Sequence, residues 1–133
     1  MKGKFWISVV AMFVVSMAFG FLVHAVLLAN DYARLPSLFR SEESAGAMFP
    51  YNLLGHVFLA LGFTWIYLKG REDKPWFPQG LRYGIAVALL ATFPMYLIYF
   101  AVMPFPSDLV AQQIVFDTVA MVVMGIVLAW INR

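Results

Sequence analysis

Three ionisable side chains interrupt long apolar runs in this sequence: His24, His56 and Asp117. An ionised group in the middle of a bilayer costs roughly 2.5–3.5 kcal/mol on insertion scales, so such residues are paired, neutralised or functional. Asp117 lies ten residues into the run that begins at Ser107, about 15 Å at about 1.5 Å per helical residue. His24 stands five residues before the end of its run and His56 eight residues after the start of its own. Both therefore sit about 8–12 Å below the edge from which Asp117 is measured. Asn52, Tyr96, Tyr99 and Gln113 fall in the same half of the sequence pattern. An intramembrane polar cluster of His24, Asn52, His56, Tyr96, Gln113 and Asp117 is the expectation.

Three chemistries suit that set. The first is structural: Asp117 is protonated or hydrogen-bonded to a histidine, and the polar residues hold the helices in register; burial raises a carboxyl pKa and lowers an imidazole pKa, which favours a neutral pair. The chain would then be a structural or accessory component of a membrane assembly, with a membrane-protein partner or a second copy of itself. The second is a binding site for haem, a metal ion or a quinone, with His24 and His56 as ligands of haem iron or a metal ion and Asp117 as a third ligand or hydrogen-bond acceptor. Eight methionines add a soft-ligand option, although methionine is an ordinary gap-filler among apolar helices. The histidines are 32 residues apart and belong to no ligand motif. The third is a small proton-coupled transporter using Asp117, with Pro94 interrupting the third span. Small four-helix multidrug exporters place their carboxylate in the first span, and this first span has none.

Other classes find little purchase. No nucleophile is paired with a base at motif spacing, and there is neither a nucleophile elbow nor a phosphate-binding Gly-rich loop, so an enzyme is not expected. The chain has no cysteine, which excludes thiolate catalysis, iron–sulfur clusters, cysteine-ligated zinc and the chemistry of quinone-linked disulfide oxidases. A net charge of +2, with scattered basic residues, gives no footprint for nucleic acid.

The elements that must position these residues follow from composition. Of 133 residues, 63% are hydrophobic and 12% charged, against about 25% charged in a soluble domain. A chain this small has too little interior to hide that surface from water. Apolar runs at about 5–29, 48–68, 80–103 and 107–131 each supply the ~20 residues needed to cross a bilayer as helix. None alternates in the manner of a transmembrane strand. The first run is too long for the ~7–15-residue core of a signal peptide, so it is read as a retained span. The expected fold is a single all-α domain of four transmembrane helices in an antiparallel bundle.

Each span also carries a row of small or polar residues at four-residue spacing, one face of a helix. The rows are Ser16, Gly20, His24; Asn52, His56, Ala60, Thr64; Gly84, Ala88, Thr92, Tyr96; and Gln113, Asp117, with Ala120 and Met124 beyond. In lipid such faces pack against one another. Gly80 and Gly84 form a small-xxx-small pair, a helix-contact motif that does not distinguish contact within the chain from self-association.

Orientation follows from the basic residues. Lys2, Lys4, Lys69, Arg71, Lys74, Arg82 and Arg133 lie at one set of span ends, and only Arg34 and Arg40 at the other. The positive-inside bias puts both termini in the cytoplasm. Trp6, Trp65, Trp76 and Trp130 mark the same interface. A bacterial inner membrane is the expected setting. In the long first loop, 30–47, Tyr32, Leu35, Leu38 and Phe39 recur at helical spacing, which fits a short interfacial helix. Ser41 before Glu42 and Glu43 reads as an N-cap, and a helix beginning there would run into the second span with a kink at Pro50.

Overall fold

The computed structural model describes residues 2–133, and among them every regular element is helical. Helix α1 (Lys2–Gly20) passes into wider, π-helical turns at Phe21–Leu27, where Leu28 N–H donates to the Val23 carbonyl at 2.9 Å. Two short helices, α2 (Ala29–Ala33) and α3 (Glu42–Ala47), lie in the connection to α4 (Phe49–Gly70). Helix α5 (Trp76–Val87) widens in the same way at Ala88–Thr92 and resumes as α6 (Phe93–Val102), and α7 (Ser107–Ile131) follows. With the wide turns included, Gly3–Leu27, Phe49–Gly70, Trp76–Val102 and Ser107–Ile131 are each long and apolar enough to cross a membrane.

The prolines start helices here. The third segment begins at Trp76 rather than at 80 because Pro78 falls in the first turn of α5, where a missing N–H has no partner to lose. Pro50 likewise stands in the first turn of α4. Helix α3 stops at Met48 instead of running on, so Pro50 opens a new helix and does not kink a continuing one. Ser41 does cap α3: Ser44 N–H donates to Ser41 Oγ at 3.3 Å, with Glu42 and Glu43 in the first turn. Pro94 sits in the first turn of α6, immediately after the wide turns. A wide turn is one of the usual ways a helix accommodates the group a proline cannot satisfy.

Helices α5 and α7 make the closest approach. A Cβ on Gly84 would lie 2.5 Å from Val122 Cα and 2.6 Å from the Met121 carbonyl oxygen. One on Gly80 would meet the Gly125 carbonyl oxygen at 2.6 Å and Ala129 Cβ at 2.7 Å. Only hydrogen fits in either place. The Gly80/Gly84 pair is thus a contact within the chain, answered from α7 by Gly125. Helix α1 packs on α4 and α7, and the main core joins Val9 and Met12 to Ala60, Phe63, Tyr67, Met124 and Leu128.

Polar bonds tie the ends of three helices at the basic end of the molecule. Buried Asn132 donates through Nδ2 to Ser8 Oγ at 2.9 Å, and Arg71 Nη1 donates to the Asn132 carbonyl at 2.7 Å. At the opposite end Val23, Leu28 and Leu109 form a second core. Tyr32, Leu35 and Phe39 fold over it, together with Phe105 and Phe116. The apolar residues of the first loop therefore pack inward on α7, through α2 and a set of turns in place of one continuous helix.

Candidate functional site

The rows of small and polar residues converge between the helices. Ser16, Thr64, Ala60, Ala88, Thr92, Gln113, Ala120 and Met124 are buried, and His24, His56, Tyr96 and Asp117 are partly buried. Asn52 stands apart: it is exposed in the second turn of α4 and makes no side-chain hydrogen bond among the described residues. Tyr99 is half exposed and does not join the group.

Asp117, near the middle of α7, is the hub. Tyr96 of α6 donates its hydroxyl to Asp117 Oδ2. His24, carried by the wide turns that continue α1, places Nε2 3.4 Å from Asp117 Oδ1. The side chains of His24 and Asp117 are 36% and 18% exposed, so the carboxylate is the more enclosed partner. The other imidazole nitrogen, Nδ1, lies 2.6 Å from the Tyr32 hydroxyl. Gln113, one turn before Asp117, donates Nε2–H to that same hydroxyl at 3.2 Å.

Donor and acceptor roles follow from this chain. Tyr32 lies outside the four long segments, and burial raises its pKa above the ordinary phenol value, against a smaller opposing pull from the Gln113 bond. It therefore keeps its proton near neutral pH. Its oxygen accepts from Gln113, so its O–H is free to donate to His24 Nδ1. His24 Nε2 then faces Asp117 Oδ1 at 3.4 Å, close enough for an ion pair, and Asp117 Oδ2 accepts from Tyr96. Each member of the chain Gln113–Tyr32–His24–Asp117–Tyr96 has a partner. A closed network of this kind is much less costly to bury than a broken one.

His56 belongs to a different group. Its Nδ1 lies 2.9 Å from Ser16 Oγ, and Ser16 in turn donates to the Phe13 carbonyl at 3.0 Å. Ser16 thus accepts from His56 Nδ1–H, and in the neutral ring the proton-free nitrogen is Nε2. The ring lies over Gly20, where a Cβ would come within 3.2 Å of both Cε1 and Nε2. The pattern Ser16–Gly20–His24 therefore does two things: one turn seats His56, and the next turn supplies His24.

Separate partners matter for the metal and haem expectation. Both nitrogens of His24 are engaged, so a metal at His24 must displace Tyr32 or Asp117, whereas His56 Nε2 makes no hydrogen bond among the described residues. Among the described residues no three His, Asp or Glu side chains gather in a group able to hold a metal ion.

Tyr32 was legible only as a member of the first loop. Nothing in the sequence pattern places it between His24 and Gln113, because the link depends on the loop folding over α7. Comparison with protein-family models, curated proteins and solved structures finds no match for this chain.

Proposed function

We propose that this chain is an integral membrane protein, an antiparallel bundle of four transmembrane helices that serves as a structural or accessory component of a membrane assembly. The observation that carries this reading is the polar chain that runs through Asp117. Its polar groups are spent on each other, from α1, α2, α6 and α7, and they fasten helix ends that share few other contacts. Helix α6 has no buried residue of its own, and Ile98 and Val102 are largely exposed. Tyr96 is therefore the principal polar anchor of that segment to α7. In lipid, exposed apolar faces of this kind cost nothing, and hydrogen bonds between helices supply part of the association energy.

The placement in the membrane rests on basic residues and tryptophans gathered at the end that carries both termini, the inner face of a bacterial inner membrane. Reporter fusions test it. A fluorescent reporter after Arg133 and one within 71–75 should fold in the cytoplasm, while a reporter at 34–40 should be active only when exported. Activity on the same side for all three sites would overturn the four-span topology.

A second reading, proton transfer, draws on the continuity of Tyr32, His24, Asp117 and Tyr96. The substitution Asp117→Asn separates the two. On the structural reading it lowers stability by about 1 kcal/mol, and vesicles containing the parent hold a pH gradient as well as empty ones. Dissipation of the gradient by the parent, abolished by Asp117→Asn at unchanged melting temperature, would replace the structural reading with transport.

A further inference from the structure

Two charged concavities lie at the basic end of the molecule, where the loop 71–75 joins α4 to α5. A cavity of about 380 Å³ opens there, lined by Tyr67, Arg71, Lys74, Gln79, Arg82 and, on its apolar side, half-exposed Ile66. A second, of about 400 Å³, shares Tyr67, Arg71, Glu72, Lys74 and Gln79 with it, and among its further lining residues are the charged Lys4, Asp73 and Arg133.

The charge in the first cavity is unbalanced. Its lining holds three cations, Arg71, Lys74 and Arg82, against one carboxylate, Glu72. Glu72 is committed to Lys74 in an ion pair, and that neighbour holds its carboxyl below the usual range. The two arginines are left over. Arg71 is aimed by a single bond from Nη1 to the neutral Asn132 carbonyl, which leaves most of its five N–H donors free. Arg82 is exposed and has no hydrogen bond or ion pair among the described residues.

The site is also braced. Glu72 N–H donates to Gln79 Oε1 at 2.5 Å, and Gln79 Nε2–H returns to the Glu72 carbonyl at 3.2 Å. These two bonds pin the loop to the first turn of α5, so the site is largely formed before a ligand arrives. Exposed Trp65 and Phe77 lie near the same helix ends, as expected of aromatic residues at headgroup depth.

We propose that this cavity binds a phosphate group, supplied by the headgroup of an anionic phospholipid in the adjoining leaflet, with Arg71 and Arg82 as its two guanidinium donors. Guanidinium groups match phosphate oxygens in pairs. Basic pockets between spans on the cytoplasmic side are suited to anionic headgroups. Ile66 gives the acyl chains an apolar exit along α4. The lipid source rests on the proposed membrane placement. The phosphate chemistry does not.

The test uses the full chain in nonionic detergent, titrated separately with phosphatidylglycerol, phosphatidylcholine and inorganic phosphate. Retention is read by native mass spectrometry and stabilisation by melting temperature. Phosphatidylglycerol should bind about tenfold more tightly than phosphatidylcholine, and Arg82→Gln should weaken it by about tenfold, the loss of one charge-assisted contact. Because Arg82 is exposed and unpartnered, Arg82→Gln without ligand should melt with the parent, which separates a binding loss from a folding loss. If inorganic phosphate displaces the lipid at equal affinity, the site is one for soluble phosphate and the lipid source is overturned. Equal binding of both lipids, or phosphatidylglycerol binding unchanged in both Arg82→Gln and Arg71→Gln, would overturn the site itself. Chains that fail to insert are detected by the reporter fusions, so that failure is not confused with this one.

Discussion

Replacing Gly84 with leucine is expected to separate α5 from α7 and produce the largest loss of stability of any single substitution on that interface. Even the first added carbon would stand 2.5 Å from a backbone atom of Val122 and 2.6 Å from one of Met121. Backbone cannot rotate out of the way as a side chain can, so the helices themselves must move. Overpacking a close contact costs about 1–3 kcal/mol. Gly84→Ala should fall in that range, and Gly84→Leu should exceed it, because three further carbons must be housed. The loss extends beyond the glycine, since Tyr83 next to it donates to the Phe63 carbonyl at 2.5 Å and stacks edge-on with Phe63 and Tyr67. Gly62 supplies the control. A Cβ there meets nothing within 4 Å, so Gly62→Ala should stabilise by about 0.5–1 kcal/mol through the unfolded state. Melting of the purified chain in detergent reads both. Equal melting temperatures for Gly84→Leu and the parent would mean that α5 and α7 do not meet at this point.

The second large effect belongs to Asp117→Ala. The substitution removes at once the acceptor of the Tyr96 hydroxyl and the carboxyl group that faces His24 Nε2 at 3.4 Å. A buried donor left without a partner costs about 1–3 kcal/mol. His24 is partly exposed and recovers some of that from water, so about 2–3 kcal/mol in total is the expectation. Tyr96→Phe removes donor and demand together and should cost less, near 1 kcal/mol. The order Asp117→Ala worse than Tyr96→Phe is the signature of an acceptor hub. The reverse order would show that Tyr96 matters for its ring packing alone.

Helical periodicity made much of this arrangement readable. A polar residue among apolar ones, repeated every fourth position, marks the face that a helix turns toward its neighbours. Gln113, Asp117, Ala120 and Met124 all lie on such a face of α7, and Ser16 and His24 on that of α1. Asn52 obeys the same spacing and is exposed, because periodicity assigns a face but does not say how far along its length a helix is covered. Pro50 and Pro78 resemble helix breakers in sequence, yet a first-turn proline sacrifices no bond, so helices begin around them. The wide turns at Phe21–Leu27 have no proline within them and no other compositional mark. They nevertheless set the rotation at which His24 leaves α1. Tyr32 is a tertiary contact in the strict sense: its place depends on Leu35 and Phe39 burying themselves against the end of α7.

We propose that His24 and Asp117 act as a pair that holds the helices together. A double-mutant cycle tests it directly, with His24→Ala, Asp117→Ala and the double variant compared by reversible unfolding in detergent. Coupling predicts that the double variant loses clearly less than the sum of the two singles, with a difference of about 0.6–1.7 kcal/mol, the range found for interhelical hydrogen bonds. Strict additivity would contradict the account, because it would mean that the imidazole and the carboxylate do not interact in the folded protein.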